Sequence, residues 1–446
     1  MRTIRIGGGA GYAGDRIEPA VELVEHGRLD YLIFECLAER TIALAHLARL
    51  RDPSRGYDPL LDERMRAVLP GCHAQGVRIV TNMGQANPLA ARDRIVELGR
   101  ELGLDGLRVA AVAGDEVTHF VSEQNLTLAE TGRPVSELGD RLVSANAYLG
   151  AEPMVEALAA EAHVVVTGRV ADPSLALAAQ MHAFGWSADD WPRLGAGTVV
   201  GHLVECAGQI TGGYYADPGV KGVPGLGRLG FPIAEVDEQG AAVITKVAGS
   251  GGMVTEHTCA EQLLYEVHRP DRYVTPDSSA DFSGVTLNEV GADRVAVHGG
   301  TGGPRPETLK VSVGYRDGFV GEGQISYAGP GAGARARLAG DVVRERLGLI
   351  GVHPRELRID LLGVNALHRT DSALDHAEPY EVRLRVVGRT DTRDEATRIG
   401  GEVETLLTNG PAGGGGATRS VRETVGIEST LIDRALVMPT VELAEV

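Results

Sequence analysis

His202, Glu205 and Gln209 stand three and four residues apart in GHLVECAGQITGG, a spacing that lets one helix face present all three before the turn at Thr211. A histidine one turn from a carboxylate suits general acid/base work, with the carboxylate orienting the imidazole, and it equally supplies two ligands of a metal. A zinc site needs a third ligand, and none stands at ligand spacing nearby. A satisfied buried pair is the structural alternative. Upstream, the run HVVV ends abruptly at Thr167, Gly168, Arg169 and Asp172. The planar fork of Arg169 suits a carboxylate or phosphate, while Asp172, also a catalytic candidate, reads before Pro173 as a plain helix N-cap as well.

Other polar groups follow apolar runs in the same way. Glu35 comes directly after YLIF, with Glu39 one helical turn beyond it. Two such carboxylates can share a proton, hold a metal or simply favour a helix N-terminus. TNMGQANP carries Asn82, Gln85 and Asn87, amides able to orient a carbonyl, although Asn87 before Pro88 also reads as a cap. Asp115 follows VAAVAG. In GGGAGYAG, Gly8, Gly9 and Gly11 follow a strand-like run and either bring backbone N–H groups to an anion or form a tight turn.

These clusters need elements to hold them. Thr3–Ile6, Tyr31–Phe34, Val77–Thr81, Leu107–Val112 and His163–Thr167 read as strands, and the stretches between the earlier ones repeat apolar residues at helical steps. Alternation of this kind predicts an α/β fold with a mostly parallel sheet and flanking helices, whose strands all deliver their carboxyl ends to one rim. Texture changes at the glycine- and proline-rich residues 217–232. The expected division is therefore 1–230, an α/β domain with the polar rim, and 231–446, a second α+β domain.

Composition limits the partners. The chain has 446 residues, a formal net charge of −18 and only 4% aromatic residues, with no clustered basic run. A nucleic-acid surface is not expected from that balance. No run is long and apolar enough for a membrane span, the amino terminus lacks a signal-peptide core, and the four scattered cysteines show no CxxC pair. Cytoplasmic residence with reduced thiols is expected. Aliphatic α/β proteins of this size often self-associate, so a homo-oligomer is expected too.

The segments GGGAGYAGD, LDYLIFECLAERT, TNMGQANP, VVVTGRVADPSLAL, GHLVECAGQITGGYYADP, CAEQLLYEV and TNGPAGGGG, in this order, resemble the acyclic terpene utilisation AtuA family over nearly the whole chain. The resemblance implies work on terpenoid or related branched acids through acyl-CoA thioesters. Because the chain resembles the family's short form, it also implies a small partner subunit. With no nicotinamide or flavin motif, the expectation is a cofactor-free acid/base enzyme of lyase, hydratase or isomerase type acting on a carboxylic acid or acyl-CoA. Arg169 would anchor the anion, His202 or Glu35 would move the proton, and Asn82 and Asn87 would orient a carbonyl. The alternatives are a non-catalytic acid- or acyl-CoA-binding subunit and, third, a metal-dependent hydrolase.

Overall fold

The computed structural model describes residues 2–369 and 379–446. Runs such as LIF and VVV are buried on both faces, as in a parallel sheet covered by helices. They form β1 (Thr3–Gly8), β2 (Tyr31–Phe34), β3 (Arg78–Thr81), β4 (Arg108–Ala113), β5 (Leu142–Ala147) and β6 (Val164–Thr167). Between them lie α1 (Glu18–His26), α2 (Glu39–Arg51), α3 (Leu61–Gln75), α4 (Pro88–Leu102), α5 (Thr118–Glu123) and α6 (Glu152–Ala159). Gly76 and Gly103 end α3 and α4 at φ 71° and 69°, a left-handed conformation that glycine adopts without a Cβ clash.

α7 (Ser174–Phe184) and α8 (Trp191–Glu205) follow, then β7 (Pro232–Asp237), β8 (Ala242–Lys246), α9 (Glu256–Leu264), β9 (Tyr273–Val274), β10 (Ser279–Asp281), β11 (Thr286–Gly291), β12 (Arg294–His298) and β13 (Thr301–Gly303). The chain continues as β14 (Thr308–Ala328), α10 (Ala332–Leu349), β15 (Glu356–Leu362), β16 (Glu381–Thr390), α11 (Arg393–Glu404), α12 (Leu406–Asn409), β17 (Gly415–Asp433) and β18 (Thr440–Glu445).

Two compact units result, Met1–Gly314 with Ile427–Val446, and Tyr315–Gly426. The first is built on a ten-stranded sheet in the order β11-β12-β8-β7-β1-β2-β3-β6-β4-β18. β1, β2, β3, β6 and β4 are parallel neighbours, so their carboxyl ends do share one edge. Leu23, Leu32, Phe34, Ile79, Val109 and Val164 belong to the core on one side of these strands. In the second unit, α10 and α11 cover one face of an antiparallel sheet around Ile325, Leu384, Val386 and Val403.

A division at residue 230 does not match these units. β7 lies antiparallel beside β1, from Thr3↔Asp237 to Gly7↔Ile233, and carries β8, β12 and β11 into the first sheet. The change of texture marks the switch from parallel to antiparallel pairing within one unit. Among the described residues no helix is long and apolar enough to cross a membrane.

Candidate active site

The glycines after β1 are explained by what lies against them. A Cβ on Gly8 would sit 2.5 Å from the Val204 carbonyl oxygen, and one on Gly11 would sit 2.5 Å from the Cys206 carbonyl carbon. The bare backbone thus lets the carboxyl end of α8 rest on the end of β1. Gly9 donates its N–H to Ile33 O at 2.7 Å. The Gly11 N–H is taken by Asp15 Oδ2 at 2.9 Å, so the chain's own carboxylate occupies the donor expected to meet a bound anion.

Glu35 directly follows β2 at the carboxyl edge of the sheet. Its Oε1 accepts the Leu37 N–H at 2.9 Å and Asn82 Nδ2 at 3.0 Å, while Asn82 Oδ1 accepts the Cys36 N–H at 2.7 Å. Burial, reinforced by the nearby Asp172 carboxylate, pushes the Glu35 carboxyl up to about 8 against the opposing pull of Arg169 and these donors.

Arg169 is 1% exposed, and three of its side-chain N–H groups meet the chain itself. Nε donates to Val170 O at 2.8 Å, Nη1 donates to Leu37 O, and Nη2 pairs with Asp172, which is 42% exposed. Asp172 is thus an ion-pair partner; it does not cap α7, where Pro173 holds the cap position and no side chain closes it. The Arg169 backbone N–H is held by Asp115 Oδ2 at 2.9 Å, and Asn146 Nδ2 donates to the same oxygen at 2.9 Å. Burial lifts Asp115 to about 6 despite those donors. A Cβ on Gly168 would lie 2.4 Å from Asp115 Oδ1, so glycine is required for this approach. Thr167 is buried and donates its hydroxyl to Gly168 O at 2.9 Å.

Sequence reasoning missed the layer supporting Arg169. Its guanidinium lies 4.4 Å from the Tyr148 ring centroid, with Lys310 Nζ 4.9 Å from the same ring. Tyr148 Oη donates to Glu39 Oε1 at 2.5 Å, and Lys310 Nζ donates to that oxygen at 3.1 Å. Burial works against the Glu39 charge, yet the Tyr148 hydrogen bond, its own backbone N–H and the two cations bring it down to about 2. Glu39 marked the place in sequence, but Tyr148 and Lys310 come from distant segments with no local motif.

His202 and Glu205 do pair, Nδ1 to Oε1 at 2.8 Å, with both side chains buried. His202 lies 5.5 Å from the rings of both Tyr273 and Phe282, and its Nε2 and Glu205 Oε2 have no hydrogen-bond partner among the described residues. Burial, with Asp172 and Glu266 adding to it, raises Glu205 to about 7 against the pull of His202. Burial opposes the His202 charge, but Glu205 outweighs it and raises that group as well. Gln209 does not share their helix. α8 ends at Glu205, Ala207 takes φ 43°, and Gln209 falls in a separate short 3₁₀ turn, because the chain bends away at Cys206.

Two further residues stand apart as structural supports. Asn87 caps α4, with Oδ1 accepting the Ala90 N–H at 3.4 Å and Nδ2 donating to Pro53 O and Arg55 O. Thr211 is fully buried and donates to Gly208 O and Gly230 O at 3.0 and 2.6 Å. Gln209 lines a cavity of 610 Å³ together with Cys206, Tyr12, Phe231, Tyr265 and Leu229. Burial, followed by the Glu205 charge, raises the Cys206 thiol against the pull of a Gln262 hydrogen bond. Among the described residues no three His, Cys, Asp or Glu side chains gather as a metal-holding group.

A parallel sheet whose carboxyl edge carries the buried side chains of Glu35, Asn82, Asp115 and Arg169 defines an α/β protein with a polar rim. The chain belongs to the acyclic terpene utilisation family protein AtuA, whose family model matches residues 4–443. No curated protein and no solved structure gives a significant match.

Proposed function

We propose that this protein is an enzyme of acyclic terpene utilisation that moves a proton on a carboxylic acid or its acyl-CoA thioester, in a lyase, hydratase or isomerase step. The observation that carries this reading is Glu35, a buried carboxyl raised to about 8 at a strand end. Both of its hydrogen bonds fall on Oε1, leaving Oε2 to carry the proton. Protonated Glu35 is the acid, and once ionised it is a base whose charge Arg169 tempers. The tyrosines, Phe231 and the leucines of the 610 Å³ cavity suit a hydrocarbon chain.

Arg169 receives a different role from the anion anchor suggested by its type. With three N–H groups committed to Val170, Leu37 and Asp172, it fixes the surroundings of Glu35. His202 orients Glu205 through its Nδ1. A binding subunit that works with a small partner is the second reading, favoured by the extent to which Arg169 and Asn82 spend their polar groups within the chain.

The test is Glu35→Gln, assayed on acyclic terpenoid acids and their CoA thioesters. Turnover is expected to fall by about 100-fold or more, the usual weight of a positioned acid/base group. The wild-type rate should decline as pH rises through about 8, where the acid form of Glu35 is lost. Ligand-induced thermal shifts should persist in the variant. Unchanged turnover in Glu35→Gln would remove the assignment, and binding by the wild type with no turnover on any responsive ligand would establish the second reading.

A further inference from the structure

A second concave site lies away from the rim, on the part of the first unit formed by β1, β7, β8 and β12. Arg5, Arg28, Lys246 and Arg294 line a cavity of 510 Å³ there, facing only Glu235 and Asp293 as carboxylates. This is a local excess of positive charge on a chain whose formal net charge is −18.

The acids are shared out. Glu235 pairs with both Arg5 Nη1 and Arg294 Nη2, so one carboxylate serves two guanidinium groups. Asp293 Oδ2 lies 3.2 Å from Lys246 Nζ, whose side chain is only 3% exposed and which also donates to Ser250 O at 2.9 Å. Arg28 has no ion pair among the described residues. It also holds φ 50°, a left-handed conformation in which an arginine is strained, directly after the glycine that ends α1. Nothing in the rim chemistry uses any of these groups.

We infer that this cavity is a binding site for a phosphate dianion, either the free ion or a phosphate monoester. Four cations against two carboxylates leave a surplus that such a dianion matches, and arginine forks with a buried ammonium are the donors that phosphate oxygens accept from. Arg28, exposed and unpaired, is placed to close on the ligand; Lys246 and Arg294 form the fixed wall.

The test is calorimetric titration of the full chain with inorganic phosphate and with adenosine 3′-monophosphate, using adenosine as the uncharged control. Saturable binding of at least one phosphate, weakened by added salt and absent for adenosine, is expected. Arg28→Ser and Arg294→Ser should each weaken it by about tenfold, as loss of one charge-assisted contact does. Stronger binding of the ester identifies a monoester site, and equal binding identifies a site for the free ion. Arg28 is exposed, so its variant tests the site without a folding penalty. No saturable binding of either phosphate, or wild-type affinity in both variants, would overturn the inference. Turnover does not enter the measurement, so its outcome is separate from that of the Glu35 test.

Discussion

At Glu35 burial and the Asp172 carboxylate act in the same direction, and the proton they retain has a consequence for stability as well as chemistry. A carboxyl raised from 4.5 to about 8 stabilises the folded chain fully below 4.5, and that contribution is lost as pH rises through about 8. Glu205, raised to about 7, and Asp115 and Asp58, raised to about 6, act with the same sign at lower pH. Glu39 acts oppositely, because its value of about 2 gives stability present above 4.5 and lost in strong acid. Urea unfolding at pH 5.5 and pH 8.5 should therefore show lower stability at the higher pH. Glu35→Gln should narrow the difference, since the amide cannot ionise; an identical gap in the variant would mean that Glu35 is already ionised at pH 5.5.

Among elements, the contact of α8 with the end of β1 decides whether the rim closes. Gly8→Ala and Gly11→Ala would each press a methyl group onto backbone, at Val204 and Cys206. Each is expected to cost about 1–3 kcal/mol in urea unfolding, as overpacking does. Gly222→Ala, with open space around it, should change stability by less than about 0.5 kcal/mol. A small effect at all three positions would show that the contact yields. The same elements show what was legible in the sequence. Tyr31–Phe34 and the run ending at Thr167 declared themselves as buried strands, and parallel order then brought Glu35, Asn82, Asp115 and Arg169 to one edge. What each polar group does there was not legible. Asn87 and Thr211 turned to nearby backbone, the Gly11 N–H to Asp15, and Arg169 to Leu37 and Asp172, because a buried donor takes the partner that folding brings closest. Tyr148, Lys310 and Tyr273 entered through long-range pairing, which local spacing does not encode.

Over the whole molecule, the first unit is assembled from two separated stretches of chain, and the second stretch ends in the strand that completes its large sheet. β18 lies antiparallel to β4 from Thr440↔Ala113 to Glu445↔Arg108, with Val441 opposite Val112 and Leu443 opposite Ala110. The Glu442 carboxylate reaches Arg92 at 3.2 Å, and the place of a Gly99 Cβ is 2.6 Å from Val446 Cγ2, so the strand also seals the side of α4. Removing residues 440–446 would leave β4, the carrier of Asp115, as an open hydrophobic edge. With backbone hydrogen bonds worth about 0.5–1.5 kcal/mol each, the loss should amount to about 3 kcal/mol or more in urea unfolding, with concentration-dependent aggregation. Hydrogen exchange should deepen around Val109–Val112, whereas Leu384 and Val386, buried in the separate core of the second unit, should keep their protection. Equal loss of protection in both units would show that they unfold as one body, and unchanged stability would show that β4 holds the Asp115 end of the rim without its outer neighbour.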